Sequence, residues 1–177
     1  EVKHLVNDST ARIKTMALAH EMLYNGKDIS KINMRDYITG LMELLEKSNR
    51  FESDRVSLHC KVEKTSLLID AAIPCGMIIN ELLTNSFKYA FPDGRAGNIC
   101  VSFRRIGKDR VQLKVRDDGV GLPSGVDPWA VSSLGMQIIK VIAESQLKGK
   151  IEYESNHGLS WVVTFNRNIF KERVIKT

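Results

Sequence analysis

IPCGMIINELLTNSFKYAFP, residues 73–92, decides how this chain is read. On a helix at about 100° per residue, Glu81, Thr84, Asn85 and Lys88 fall within about a third of the circumference. Ile79, Leu82, Leu83, Phe87 and Ala90 cover most of the rest. A charged stripe usually means a solvated face, but this helix is too apolar elsewhere to lie on a surface. An acid, an amide and an amine on one narrow stripe of a buried helix point to a polar ligand. The helix is expected over 74–90, with Pro74 in its first turn.

Downstream, RVQLKVRDDGVG (110–121) alternates. Val111, Leu113, Val115 and Asp117 share one strand face, and Gln112, Lys114, Arg116 and Asp118 the other. Asp117 thus ends the core-facing row, where a carboxylate needs hydrogen-bond donors or costs several kcal/mol. A ligand amino group could be such a donor. Gly119 and Gly121 allow tight turns and close approach of a ligand, although DxGxG alone is equally a hairpin turn. SSLGMQII (132–139) has Ser132 or Ser133 as a helix cap and Gly135 in the first turn, an N-terminus whose free N–H groups attract phosphate.

The remaining elements follow from periodicity. DSTARIKTMALAHEMLY (8–24) reads as a helix capped by Asp8 or Ser9, with Ile13, Met16, Ala17, His20, Leu23 and Tyr24 on one face. NGKD (25–28) ends it. A second helix is expected at 34–48, capped by Asn33. Short strands are expected at 56–62 and 66–70, and a hairpin at 98–106 and 110–117 turns through Gly107-Lys108-Asp109. A helix at 134–147, with Gln137, Lys140, Glu144 and Lys148 as its polar stripe, leads to strands 150–155 and 160–166, joined by Asn156-His157-Gly158. Helices interspersed with hairpin-linked strands predict an α+β two-layer sandwich, with helices on one face of a mixed, mainly antiparallel sheet.

The 177 residues suffice for one domain plus an extra helix. Hydrophobic residues make up 43% and charged residues 27%, which excludes a disordered tail. No apolar run approaches the roughly 18–20 residues of a membrane span, and the polar start EVKHLVNDST has no signal-peptide core. Glu1 in place of Met is expected of a piece of a longer protein, which could itself be membrane-anchored. Cys60, Cys75 and Cys100 are too widely spaced for a zinc site or disulfide scaffold, as in a reducing compartment. The net charge of +5 suits an anionic ligand such as a nucleotide. Its basic residues are not interleaved with aromatics, which argues against nucleic acid.

Taken together, these stretches resemble the ATP-binding (Bergerat) fold shared by histidine kinases, type II topoisomerases, MutL and the heat-shock chaperones. The chain is most similar to histidine kinases of the second phosphoacceptor subfamily. IPCGMIINELLTNSFKYAFP resembles the N box, VRDDGVGLP the first glycine box, and SSLGMQIIKVIAESQLKGKIEYES the second glycine box with the helix and strand after it. The resemblance implies that Asn85 coordinates an Mg²⁺ bridging the phosphates of ATP. It implies that Glu81 orients or polarises the attacking group, that Lys88 contacts phosphate, and that Asp117 accepts a hydrogen bond from the adenine amino group. Gly119, Gly121 and Gly135 would allow close approach of backbone and lid. Tyr89, Leu122, Ser133, Leu134 and Met136 complete the implied nucleotide-contacting set. Two features depart from the pattern: the lid between Pro123 and Ser133 is short with Trp129 as its one aromatic, and Ser133 stands where the family has glycine.

RIKTMALAHEMLY (12–24) resembles the subfamily's second dimerisation helix, whose phosphoacceptor lies some tens of residues upstream. Residues 1–25 are therefore assigned to the dimerisation and phosphotransfer helix and 26–177 to the ATP-binding domain. His20 is read as a packing or interface residue, since no H-box proline follows; His4 has no H-box context, His59 lies in a strand and His157 in a turn. The expected partners are ATP and a response regulator, in the cytoplasm, with a homodimer through the first helix and packing of that helix on its own domain both open. Two other outputs remain for the same pocket: an anti-sigma-factor-like serine kinase, and a non-catalytic ATP-sensing module.

Overall fold

The structure, a computed structural model, describes residues 2–26, 30–48, 55–130 and 133–170. Lys27, Asp28 and Ser132 of the readings above lie outside the described residues, as does the side chain of Asp8. In chain order the elements are α1 (Val2–Asn25), β1 (Lys31–Asn33), α2 (Met34–Ser48), β2 (Val56–Val62), β3 (Ser66–Leu68) and α3 (Ile69–Tyr89). After a 3₁₀ turn (Pro92–Gly94) come β4 (Gly97–Ile106), β5 (Arg110–Asp117), α4 (Leu134–Lys140), β6 (Lys150–Ser155) and β7 (Leu159–Asn166).

Five strands form one sheet in the order β2-β4-β5-β7-β6. β2 runs parallel to β4, and every other neighbouring pair is antiparallel. The expected mixed, mainly antiparallel sheet under a helical layer is therefore present. The alternation expected along β5 holds, since Val111, Leu113, Val115 and Asp117 are all buried. The three apolar ones share one core with Ile78, Ile79, Leu82 and Leu83 of α3, which are also buried. Asn33 caps α2 through its Oδ1, which accepts the Arg35 N–H at 3.0 Å. β1, unforeseen in the sequence, pairs antiparallel with β3 as a small second sheet.

Several boundaries move. α3 begins at Ile69 and carries Pro74 in its second turn, because residues 69–73 already follow the apolar rhythm of the helix; β3 correspondingly ends at Leu68. α4 stops at Lys140 and continues as a π-helical segment, Val141–Gln146, which the helical spacing alone could not distinguish. α1 starts at Val2, so neither Asp8 nor Ser9 caps it.

The largest revision concerns the face α1 buries. Ile13 is 62% and Tyr24 89% exposed, and Ala17 and His20 also face solvent. The inward stripe is Thr15 and Ala19, both buried, with Leu18, Met22 and Leu23 packed beside them. Small side chains let α1 approach closely, and polar ones find partners. The Tyr37 hydroxyl of α2 donates to the Thr15 carbonyl at 3.1 Å, and Thr15 Oγ1 donates to the Ala11 carbonyl at 2.9 Å. Hydrophobicity ranks Ile13 and Tyr24 above Thr15 and Arg12, but closeness and hydrogen bonding decide the contact.

Candidate functional site

α3 and the end of β5 converge on a cavity of about 570 Å³, within the range of small-ligand sites. Its floor is Asp117, 3% exposed. Ser86 Oγ of α3 donates to Asp117 Oδ2 at 2.9 Å. The backbone N–H groups of Gly119 and Leu159 donate to Oδ1 at 3.0 and 3.1 Å. Three donors offset much of the cost of burying a carboxylate. A carboxylate has about four acceptor positions, so one remains for a donor entering the cavity.

The turn after Asp117 is held from outside the cavity. Asp118 accepts the Asn98 N–H at 2.7 Å on Oδ1 and the Asn98 side-chain amide at 2.8 Å on Oδ2. Arg95 donates to the Asp118 carbonyl at 2.9 Å, and His59 Nε2 lies 2.8 Å from Asn98 Oδ1. Partial burial works against ionisation of Asp118, but the bonds from Asn98 and the charge of Arg95 outweigh it and hold the carboxyl below its ordinary range. Gly119 belongs to this turn because a Cβ there would run into the Ala90 carbonyl, and Gly121 takes φ +71°.

The polar stripe expected on α3 lines the opposite wall: Glu81, Thr84, Asn85 and Lys88 all border the cavity. Glu81 is 6% exposed. Its Oε1 accepts Arg12 Nε at 2.8 Å and the Asn80 amide at 3.3 Å, and its Oε2 accepts Arg12 Nη2 at 3.1 Å. The start of α4 closes the same end. Ser133 caps it, its Oγ accepting the Met136 N–H at 3.3 Å. The Asn85 amide lies 3.8 Å from Met136 Sδ.

Of the residues singled out in the sequence, Glu81, Asn85, Lys88, Tyr89, Asp117, Gly121, Leu122, Ser133, Leu134, Gly135 and Met136 border this one cavity, and Gly119 stands behind it. Arg12, Ser86, Leu159 and Trp161 are among the contributors that escaped the sequence reading. Ser86 could have been found, since it lies where α3 turns from its polar stripe toward the strand that ends in Asp117. Leu159 holds Asp117 through its backbone N–H, for which sequence has no signal. Trp161 packs edge-on against Trp129 with ring centres 5.1 Å apart, and Tyr153 joins it at 5.2 Å. The short lid is thereby anchored by its one aromatic, with Lys140 Nζ 5.6 Å from the Trp129 ring centre.

Residues 71–169, more than half of the chain, match the family described as histidine kinase-, DNA gyrase B-, and HSP90-like ATPase. The chain belongs to this ATPase family. Membership implies that the chain binds ATP. Residues 1–49 match a second family model, described as histidine kinase. Sensor histidine kinase PdtaS of Mycobacterium tuberculosis is 27% identical over 153 residues, which are 85% of this chain and 30% of that protein. The chain thus spans about a third of that relative's length. In three dimensions it resembles the histidine kinase domain of a blue-light activated histidine kinase from Erythrobacter litoralis, with TM-score 0.80 and 16% identity over 90% of this chain and 75% of that one. It also resembles histidine kinase ThkA, solved in complex with response regulator protein TrrA, with TM-score 0.64 and 18% identity over 93% of this chain and 50% of that one. At these identities the likeness shows the fold. Among the described residues no helix is long and apolar enough to cross a membrane.

Proposed function

We propose that this ATPase-family chain is the catalytic part of a cytoplasmic sensor histidine kinase, passing the γ-phosphoryl group of ATP to a histidine upstream of Glu1 and, through it, to a response regulator. Residues 1–25 are the end of the dimerisation helix and 26–177 the ATP-binding domain. The observation that carries the reading is Asp117, a buried carboxylate with three protein donors and acceptor capacity left toward the cavity. An adenine amino group is a donor of the right kind to take that position.

From that anchor the stripe of α3 leads away from the base. Asn85 offers an amide oxygen to a magnesium ion, Lys88 a cation to phosphate, and Glu81 a carboxylate to the group being aligned for attack. Among the described residues no three His, Cys, Asp or Glu side chains gather into a metal site. A divalent ion here would take much of its coordination from the phosphates themselves, as Mg²⁺ commonly does. When bound, Mg²⁺ would neutralise charge on the phosphates, which is much of what phosphoryl transfer requires. Ser133, Leu134, Gly135 and Met136 close that end as a lid, and Tyr89 and Leu122 border the open rim.

Calorimetric titration of ATP, with and without Mg²⁺, into the chain and into Asp117→Asn tests this reading. Saturable binding that falls at least about a hundredfold in Asp117→Asn is the expected result, since a lost charged hydrogen bond and a misplaced amide both act at one atom. Absence of binding to the unsubstituted chain would reject it.

A further inference from the structure

Arg12 belongs to α1, outside residues 71–169 that carry the ATPase-family match, yet it lines the same cavity as Asp117 and Asn85. Its guanidinium grips Glu81 with two bonds, and the two side chains are 14% and 8% exposed. Along α3, Ser86 marks the end of the cavity that holds Asp117. Glu81 lies five residues earlier, about 7.5 Å along the helix axis. The cavity therefore runs from a carboxylate that accepts hydrogen bonds to a guanidinium–carboxylate pair.

That pair decides the electrostatics of the far end. A lone Glu81 carboxylate there would repel a polyphosphate at short range, in surroundings that screen poorly. Paired with Arg12, that carboxylate has its charge offset by a cation at contact distance. A guanidinium is also the side chain whose rigid fork of donors suits phosphate oxygens. Arg12 itself lines the cavity, so a phosphate entering there comes within reach of its guanidinium.

We propose that Arg12 is a nucleotide-binding residue supplied by α1, which shields the terminal phosphate of a nucleoside triphosphate from Glu81 and makes the pocket prefer triphosphate over diphosphate. The inference rests on the nucleotide reading above and adds to it a residue and a selectivity. It also makes triphosphate binding depend on the docking of α1, because Arg12 reaches the cavity only from that helix.

The test is titration of ATP and ADP, each with Mg²⁺, into the chain and into Arg12→Gln, Arg12→Lys and Glu81→Gln. Arg12→Gln is expected to lower ATP affinity about tenfold and ADP affinity less than about threefold, the difference of one charge-assisted contact. Arg12→Lys, which keeps the charge, should recover most of the ATP affinity. Glu81→Gln removes the repelling carboxylate, so ATP affinity should rise about threefold or more. Opposite signs for Arg12→Gln and Glu81→Gln cannot come from loosened packing alone. Equal losses of ATP and ADP in Arg12→Gln, or a fall in ATP affinity in Glu81→Gln, would overturn the proposal while leaving the nucleotide pocket intact. If Arg12→Gln does not fold, Arg12→Lys and Glu81→Gln still decide between the two. Failure of both nucleotides to bind the unsubstituted chain would remove its foundation.

Discussion

Ser86 Oγ lies 2.9 Å from Asp117 Oδ2, and this buried bond ties the middle of α3 to the last residue of β5. It is the one side-chain donor to that carboxylate among the described residues; the other two donors are backbone N–H groups. The hydroxyl therefore sets the tilt of the carboxylate as well as stabilising it.

Ser86→Ala should accordingly act on both stability and binding. Losing a donor to a buried carboxylate is expected to cost about 1–3 kcal/mol of unfolding free energy. ATP affinity should fall roughly five- to tenfold, less than in Asp117→Asn, because the acceptor remains but is free to turn. Urea denaturation and calorimetry on the same samples read the two effects. An unchanged urea midpoint would show that the bond contributes nothing in solution.

The Asn98–Asp118 contact predicts a pH dependence. The folded protein holds Asp118 below its ordinary range, so ionised Asp118 favours the folded state. Its contribution is complete above the unfolded carboxylate range near pH 4 and is lost as pH falls through the lower folded value. Asn98→Ala should therefore melt lower than the unsubstituted chain at pH 7, and the gap should close as pH falls through the folded value of Asp118. Solvent screens Asp118, so the gap at neutral pH should be small, about 1–3 °C. A gap that stayed constant throughout the acid range would assign it to packing of Asn98 rather than to the charge.

Trp129 and Trp161 are the chain's two tryptophans, and they stand in edge contact where the lid meets the cavity wall. Trp161 borders the cavity itself. Nucleotide entering there should change tryptophan emission saturably, at concentrations that match the calorimetric affinity. Trp129→Ala removes the lid's aromatic anchor and should weaken ATP binding about three- to tenfold, a loss in line with one aromatic pair and its buried area. Trp129→Phe should restore most of it. Emission blind to ATP in the unsubstituted chain would place the ligand away from this wall.

Much of this site was legible because its parts obey periodicity. The stripe Glu81, Thr84, Asn85 and Lys88 follows from helical spacing, and the burial of Asp117 from strand alternation, before any resemblance is invoked. What stayed hidden depends on contacts between distant segments. Arg12 sits on a face of α1 that looks polar and is buried only because Glu81 receives it. Leu159 acts through a backbone N–H that any residue could supply. The burial of α1 was misread for the same reason: Ile13 and Tyr24 are more apolar than Thr15 and Ala19, but only the smaller pair fits against α2 and α3. Pro74 misled in a different way, since a proline in a second turn looks in sequence like a proline in a first.

Gly135 offers the sharpest test of how the lid seats on α3. A Cβ built there would lie 2.6 Å from Glu81 Oε2, well inside contact distance. The carboxylate cannot readily step aside, because Arg12 holds both of its oxygens. The start of α4 must then lift, taking Ser133 and Met136 away from Asn85. Gly135→Ala is expected to lower ATP affinity at least about tenfold. The fold itself should lose little stability, because the helix preference of alanine over glycine, up to about 1 kcal/mol, offsets part of the strain. Glu81→Ala makes room for the added methyl group, so introducing Gly135→Ala into that background should cost little further affinity. A loss of the same size in both backgrounds would mean that the lid does not rest on Glu81.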